Sequence, residues 1–312
     1  MVEEIGNTEG RNMAEMSKTP DFVSGKRILW RALVILTRWV FARALWAVWI
    51  RGKEMAPYVR SWIVETMKEC YPSLGLKVER ETQGLEGIDH ERPILLIGPH
   101  PFTSVIPGMV EHILDLFGGK VPRVVADAKH RWQAIPLAIG VKLARGMFIR
   151  KRKGDSAVSA IKAGLANLNG ERAPLFMLFP DRSRPFRGRR ADALRFFHGM
   201  GYPLLSLKSL RTLAPSYRGT QALIRGVPGA QVVFMSTAFS PGLEPDGETE
   251  SWDMLARKAQ DGGTRALVRF ELVEPPGVLP DEAEDQLAIK TWLYERFTEA
   301  NEWILDFEAG RK

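Results

Sequence analysis

The stretch PILLIGPHPFTSV, residues 93–105, joins a short apolar run to a Pro-flanked loop that contains His100. The run at 93–98 has the length of a buried strand. Comparable runs recur along the chain at 121–126, 146–150, 174–179, 231–239 and 266–273. Helix-like stretches accompany them at 107–117, 131–143, 155–168, 217–224 and 282–307. Because short apolar strands that alternate with helices are typical of parallel sheets, the sequence predicts an α/β fold with a mixed, mostly parallel sheet flanked by helices.

Charge and cysteine content limit the classes of function. The chain of 312 residues has a formal net charge of +7 and a pI of about 9.5, which favours nucleic acid, an anionic membrane or phosphorylated ligands as partners. It contains no zinc-finger pattern, basic zipper or RNP-like aromatic motif, so no nucleic-acid partner is expected. The single cysteine, Cys70, excludes an internal disulfide framework and is more typical of a buried small residue than of a nucleophile.

The N-terminal part is predicted to differ from the rest of the chain. Residues 1–26 are polar and acidic and lack the short apolar region of a secretory signal, so we expect a flexible terminus. Residues 27–51 read RILWRALVILTRWVFARALWAVWIR, in which arginines interrupt an aliphatic sequence. Three internal arginines make a full membrane span costly. An amphipathic helix in the membrane interface and a helix packed on the protein core are the two interpretations.

The tryptophans of this segment favour the membrane-interface interpretation over a helix packed on the core. The segment contains Trp30, Trp39, Trp46 and Trp49. Three arginines, Arg27, Arg31 and Arg38, fall on one side of a helix. Apolar and tryptophan side chains in lipid, with arginines at anionic headgroups, are typical of an interfacial helix. A second helix at about 57–69 would pair with it, so that 27–70 forms a membrane-interface helix pair and 71–312 the main domain.

Ligand sites in α/β proteins lie where strands end, and three segments with polar groups follow predicted strands. The first, 98–105, contains His100, whose neutral imidazole could act as a general base towards a hydroxyl. A histidine that stands by itself is weak support for catalysis.

The other two segments are rich in cations. Residues 146–153 end in Arg150, Lys151, Arg152 and Lys153, which form either a solvated basic turn or a phosphate clamp. Residues 179–185 place Asp181 beside arginines, either as a structural turn or as a second phosphate site with a carboxylate that orients a ligand or a loop.

In this order and spacing, the three segments resemble the motifs of the lysophospholipid acyltransferase superfamily, which includes the 1-acyl-sn-glycerol-3-phosphate acyltransferases. His100 stands where the first motif has its histidine. The second motif, a glycine, a Phe-Ile pair and a spaced basic residue, is matched by Gly146, Phe148, Ile149 and Lys151. The third motif, Phe-Pro-Glu-Gly-Thr-Arg, is matched by Phe179, Pro180, Asp181, Ser183 and Arg184.

Flanking residues are similar to the lysocardiolipin acyltransferase-like branch of this superfamily. They are Lys129, Ile135, Pro136, Pro215, Gly219, Trp292, Leu293, Arg296 and Phe297. Some motif positions depart from the pattern, with Val105 in place of the first motif's aspartate, Asp181 for glutamate and Arg182 for glycine. At the basic position of the second motif stands Lys151, with an arginine on either side.

The resemblance implies an acyltransferase domain over 71–312. It would transfer a fatty acyl group from acyl-CoA or acyl carrier protein to a lysophospholipid hydroxyl, with 1-acyl-glycerol-3-phosphate as the acceptor and phosphatidic acid as the product. No acyl-enzyme, metal or cofactor beyond the donor substrate is implied. The implied partners are the lysophospholipid, the acyl thioester and an anionic membrane surface. The expected location is the cytoplasmic face of the membrane, as a peripheral or monotopic protein.

The resemblance also implies residue roles. His100 would be the general base, and backbone N–H groups near the following helix start would stabilise the oxyanion. The phosphate-binding residues would be Arg150, Lys151, Arg152 and Arg184. Asp181 and Ser183 would position the acceptor or the loop.

Val105 is the departure with the largest consequence. In the family the aspartate fixes the imidazole tautomer and stabilises the imidazolium, which valine cannot do. The groups that could replace it are Asp127, Asp181, Ser104, Glu111 or a backbone carbonyl, and the sequence does not choose among them. The alternative function is therefore a non-catalytic lipid-binding protein of the same fold.

Overall fold

A computed structural model describes residues 24–39, 56–127, 139, 141–142, 145–149, 156–166, 173–181, 187–202, 205–206, 208–242 and 251–311. Its strands are β1 Leu76–Gln83, β2 Ile94–Ile97, β3 Arg123–Asp127, β4 Met147–Ile149, β5 Leu175–Leu178, β6 Gln231–Ser240 and β7 Thr264–Val273. Its α-helices are α1 Gly25–Trp39, α2 Ala56–Leu74, α3 Ile106–Leu116, α4 Ser156–Ala166, α5 Arg187–Gly199, α6 Tyr217–Gly226, α7 Ser251–Lys258 and α8 Glu282–Glu308.

The strands of the described part form one seven-stranded sheet in the order β1-β7-β6-β2-β5-β3-β4. The pairs β1–β7, β2–β5, β2–β6, β3–β4 and β3–β5 are parallel, and β6–β7 is antiparallel. The strands β1 and β7 therefore run opposite to the other five. This arrangement confirms the predicted α/β fold with a mixed, mostly parallel sheet flanked by helices.

The middle of the sheet is buried on both faces because the strands β2 and β5 are apolar at every position. Successive side chains of a strand point to opposite faces. In β2, Ile94 and Leu96 join a core cluster with α1, α2, α3 and α7. Leu95 and Ile97 join a second cluster with α4, α5, α6 and α8. The result is a helix–sheet–helix sandwich.

Three elements of the structure were not predicted from the sequence, namely β1, α5 and α7. The edge strand β1 has the sequence LKVERETQ, and most of its side chains are half-buried or exposed. The helix α5 begins RGRR and buries few apolar side chains, among them Ala193 and Phe197. Both lack the apolar periodicity on which a sequence prediction depends. The predicted helix at 131–143 lies mostly outside the described residues.

The N-terminal helices α1 and α2 pack against each other, and both contribute to the first core cluster. Ile28, Ile35 and Trp39 of α1 are buried in the first core cluster. The Trp39 ring lies 6.1 Å from the Trp62 ring of α2. These side chains are covered by protein, so for them the prediction of contact with lipid is wrong.

The opposite face of α1 is exposed and mixes cations with apolar groups. Arg27, Arg31 and Arg38 lie on it, as predicted from the helical period, and Trp30 and Val34 are exposed between them. The predicted contributions of Trp46 and Trp49 lie outside the described residues. Within the described ranges no helix has both the length and the apolar character needed to cross a bilayer.

Candidate active site

The loop after β2 starts at a glycine that the sheet requires. A Cβ atom at Gly98 would overlap the carbonyl oxygen of Met235 in the neighbouring strand β6. The chain then turns away from the sheet through Pro99 and Pro101 and enters α3 at Ile106. Phe102 anchors the loop because it is buried and its ring lies 5.4 Å from the ring of Phe239. The loop is therefore held at both of its ends, with His100 between them.

His100 contacts the segment that follows β5. The strands β2 and β5 are parallel neighbours, so the loops after them meet at one edge of the sheet. The backbone N–H of His100 donates a hydrogen bond to Asp181 Oδ2 at 3.0 Å. The imidazole ring lies 4.9 Å from the Phe179 ring, at an angle of 40°. His100 and the described residues Phe179 and Asp181 of the third motif thus lie together, and Asp181 lies where it can hold the His100 loop in place.

The Nδ1 atom of the His100 ring lies within hydrogen-bond distance of a backbone carbonyl. This nitrogen lies 2.7 Å from the carbonyl oxygen of Pro101. Because a carbonyl oxygen can only accept, Nδ1 must carry the proton, and in the neutral ring Nε2 then carries the lone pair. That is the tautomer that a general base at Nε2 needs. Of the groups that the sequence left open as substitutes for the aspartate, a backbone carbonyl occupies the position on Nδ1.

Val105 itself is part of the core. Its side chain is fully buried in the first core cluster, and the residue is the N-cap of α3 with φ −87° and ψ −20°. A carboxylate at this position would have to lie among apolar side chains. The side chain of Asp127, another candidate, lies outside the described residues.

Aspartate at position 105 should therefore destabilise the protein. We expect Val105→Asp to lower the free energy of unfolding by several kcal/mol, because an unpaired carboxylate would be buried. It should not add a hydrogen bond to His100, because the Nδ1 proton of the ring is already donated to Pro101. Urea unfolding checks the first point and the ¹⁵N NMR spectrum of the His100 ring checks the second, with Val105→Thr as an uncharged control of similar size. A Val105→Asp variant that is as stable as the wild type would contradict this account.

The start of α3 does not supply the oxyanion donors that the sequence predicted there. The N–H groups of Val105 and Ile106 donate to the carbonyl oxygens of Phe102 and Thr103 at 3.1 and 3.3 Å. The N–H of Gly108 donates to Tyr71 Oη at 3.0 Å, and Pro107 has no N–H. These groups are engaged in fixing the loop, so the prediction is wrong for them.

The second motif reaches the same edge of the sheet from a more distant strand. Gly146 is required because a Cβ atom would lie 2.7 Å from the carbonyl oxygen of Val124 in β3. The following strand β4 is parallel to β3 and lies three strand positions from β2. At about 4.8 Å per position, β4 ends roughly 14 Å from the end of β2.

The predicted phosphate-binding residues lie outside the described part of the chain. They are Arg150, Lys151, Arg152 and Arg184, and Ser183 of the third motif belongs with them. What the structure places is the end of β4 and the turn at Pro180, both at the edge that carries His100. The carbonyl oxygen of Pro180 also accepts from the N–H of Ser216 at 3.0 Å, which joins the turn to the segment before α6.

Two adjacent residues of α2, Cys70 and Tyr71, bear on the chemistry and the position of the His100 loop. Cys70 is buried, and burial raises the pKa of its thiol to about 11, so it is protonated at neutral pH and is no nucleophile. Its neighbour Tyr71 reaches from α2 to the His100 loop, where its hydroxyl donates to the Ser104 carbonyl at 3.0 Å. Sequence reasoning missed Tyr71 because the residue belongs to no motif and the contact spans 33 positions of the chain.

Comparisons with known proteins add little to this geometry. No family model matches the chain, and no curated protein does. Among solved structures, the chain is similar to the 1-acyl-sn-glycerophosphate (LPA) acyltransferase PlsC from Thermotoga maritima, with 16% sequence identity and a TM-score of 0.43. The match covers 86% of this chain and 97% of that chain.

Proposed function

We propose that the chain is an acyltransferase that moves a fatty acyl group from an acyl thioester, acyl-CoA or acyl carrier protein, to the hydroxyl of a lysophospholipid. The proposed acceptor is 1-acyl-glycerol-3-phosphate and the product is phosphatidic acid. The observation that carries the proposal is the 2.7 Å contact between His100 Nδ1 and the Pro101 carbonyl, which supports Nε2 as the base because the proton then lies on Nδ1. The Pro101 carbonyl is proposed to take over the function of the aspartate that stands in the first motif.

In the proposed reaction, Nε2 of His100 removes the proton of the acceptor hydroxyl. The resulting alkoxide attacks the thioester carbonyl, and the tetrahedral intermediate collapses to the new ester. The departing thiolate takes the proton from the imidazolium. The Pro101 carbonyl stabilises that imidazolium, since the N–H it accepts becomes more polar when the ring is charged. No protein nucleophile takes part, which agrees with the protonated, buried Cys70.

The remaining roles follow the sequence motifs. Arg150, Lys151, Arg152 and Arg184 are proposed to bind the phosphate groups of the acceptor and the donor, because guanidinium and ammonium groups are the usual phosphate ligands. Asp181 is proposed to hold the loop, which its hydrogen bond to the His100 N–H supports. The exposed face of α1 is proposed to contact an anionic membrane on its cytoplasmic side, where Trp30 and the arginines would meet headgroups.

A transfer assay tests the function. The full chain is incubated with anionic vesicles that contain 1-acyl-glycerol-3-phosphate and with labelled acyl-CoA, and in parallel with labelled acyl carrier protein. Formation of labelled phosphatidic acid from either donor supports the proposal. Thioester hydrolysis without acceptor would identify a thioesterase instead. Binding of the lysolipid without turnover from either donor would leave the non-catalytic lipid-binding alternative.

A further inference from the structure

Tyr71 of α2 joins the N-terminal helix layer to the loop that carries His100. Its side chain is 6% exposed. Its hydroxyl accepts a hydrogen bond from the Gly108 N–H and donates one to the Ser104 carbonyl, each at 3.0 Å. Burial raises the pKa of Tyr71 far above its ordinary value, so the hydroxyl keeps the proton that it donates.

The two backbone groups that Tyr71 bridges are the ones that would pair with each other if α3 began one residue earlier. In an α-helix the N–H of residue i donates to the carbonyl of residue i−4, so Gly108 would pair with Ser104. The bond one position further on is present, because the Met109 N–H donates to the Val105 carbonyl at 2.9 Å. The tyrosine hydroxyl thus stands between the partners of the preceding helical bond. The inserted hydroxyl thereby keeps α3 from starting before Val105, and residues 101–104 remain in the loop.

We propose that Tyr71 is a positioning residue for acyl transfer, which fixes the start of α3 and thereby the place of His100. The inference rests on the proposed function. Without the hydroxyl, the Ser104 carbonyl and the Gly108 N–H, which are both buried, would pair directly. The helix would then extend by one residue towards His100 and displace the loop in which Pro101 accepts from Nδ1. A shift of about 1 Å in a reacting group can lower turnover about 100-fold.

The test is Tyr71→Phe, which removes one oxygen atom and keeps the ring in the core. The matched control is Tyr294→Phe, which changes a buried tyrosine of α8 in the second core cluster. We expect Tyr71→Phe to lower kcat about 10- to 100-fold with KM unchanged within a few-fold, and Tyr294→Phe to turn over like the wild type. Equal rates for wild type and Tyr71→Phe would overturn the proposal, as would equal losses in the two variants.

A second readout is independent of activity. The NMR signals of the His100 ring, assigned through their loss in His100→Gln, should shift in Tyr71→Phe and remain in place in Tyr294→Phe. Unchanged His100 signals in Tyr71→Phe would overturn the positioning role. If the wild type transfers no acyl group, the proposed function fails, and this measurement still decides whether Tyr71 sets the loop.

Discussion

His100→Ala should lower kcat for acyl transfer by about 10³-fold, the central value for the loss of a general base. The KM for the lysolipid and for the thioester should remain within a few-fold, because phosphate binding is proposed for other side chains. The change removes the Nε2 lone pair and leaves the backbone N–H that donates to Asp181. Steady-state kinetics with both substrates varied give kcat and each KM separately.

His90→Ala is the matched control, since His90 is exposed on the segment before β2. This variant should turn over like the wild type. If His100→Ala retained more than a tenth of wild-type kcat, the imidazole would not be the base. If its kcat were unchanged but KM rose strongly, His100 would be a binding residue and the mechanism above would be wrong.

Asp285→Ala should lower the free energy of unfolding by about 3–5 kcal/mol. Asp285 is 5% exposed and accepts hydrogen bonds from Arg225 at 2.5 and 3.1 Å, from Gln221 at 2.8 Å and from the Leu279 N–H at 3.2 Å. Asp285 lies in α8, so these hydrogen bonds join α8 to α6 and to the segment between β7 and α8. Alanine would leave the Arg225 guanidinium without its carboxylate, which is the costly way to break a buried ion pair.

Urea unfolding at neutral pH measures this loss. The control is Asp192→Ala, which removes a carboxylate that is 51% exposed and paired with an exposed Arg195, and should change stability by less than about 1 kcal/mol. Equal, small effects of the two substitutions would show that the Asp285 network does not stabilise the fold.

The same network gives stability a defined pH dependence. The hydrogen bonds from Arg225 lower the pKa of Asp285 from 3.8 to about 2, and those from Gln221 and Leu279 add to the shift. Because the folded-state pKa lies below the unfolded one, the stabilisation is present above about pH 4 and is lost as pH falls towards 2. It amounts to about 2 kcal/mol. Between pH 5 and 2, urea unfolding should show that the wild type loses about this much more stability than Asp285→Ala does.

The fold could be predicted where strands are buried on both faces. The runs at 93–98 and 174–179 contain β2 and β5, because a strand that is apolar throughout stands out in any sequence. The edge strand β1 could not be found this way, since one edge is solvated and its charged residues interrupt the apolar pattern. That β1 and β7 run opposite to the other strands could not be predicted either, because strand direction depends on which strands pair and no short stretch of sequence indicates this.

The part of the site that lies directly after the strands could be predicted from the sequence. The loops that contain His100 and Asp181 follow predicted strands, and parallel pairing brings them together. The roles of Pro101 and Tyr71 could not be predicted. The Pro101 carbonyl is a backbone group that any residue provides, and Tyr71 reaches the loop only through the packing of α2 against α3.

The central claim is that His100 is held with its proton on Nδ1, so that Nε2 is the base. The most direct measurement is the ¹⁵N NMR spectrum of the His100 ring in protein labelled with ¹⁵N-histidine, at a pH at which the imidazole is uncharged. The signals are assigned through their loss in His100→Gln. We predict a protonated Nδ1 and an unprotonated Nε2 as the dominant tautomer. A dominant tautomer with the proton on Nε2 would contradict the account, since Nδ1 could then not donate to Pro101 and Nε2 could not accept the proton of the acceptor.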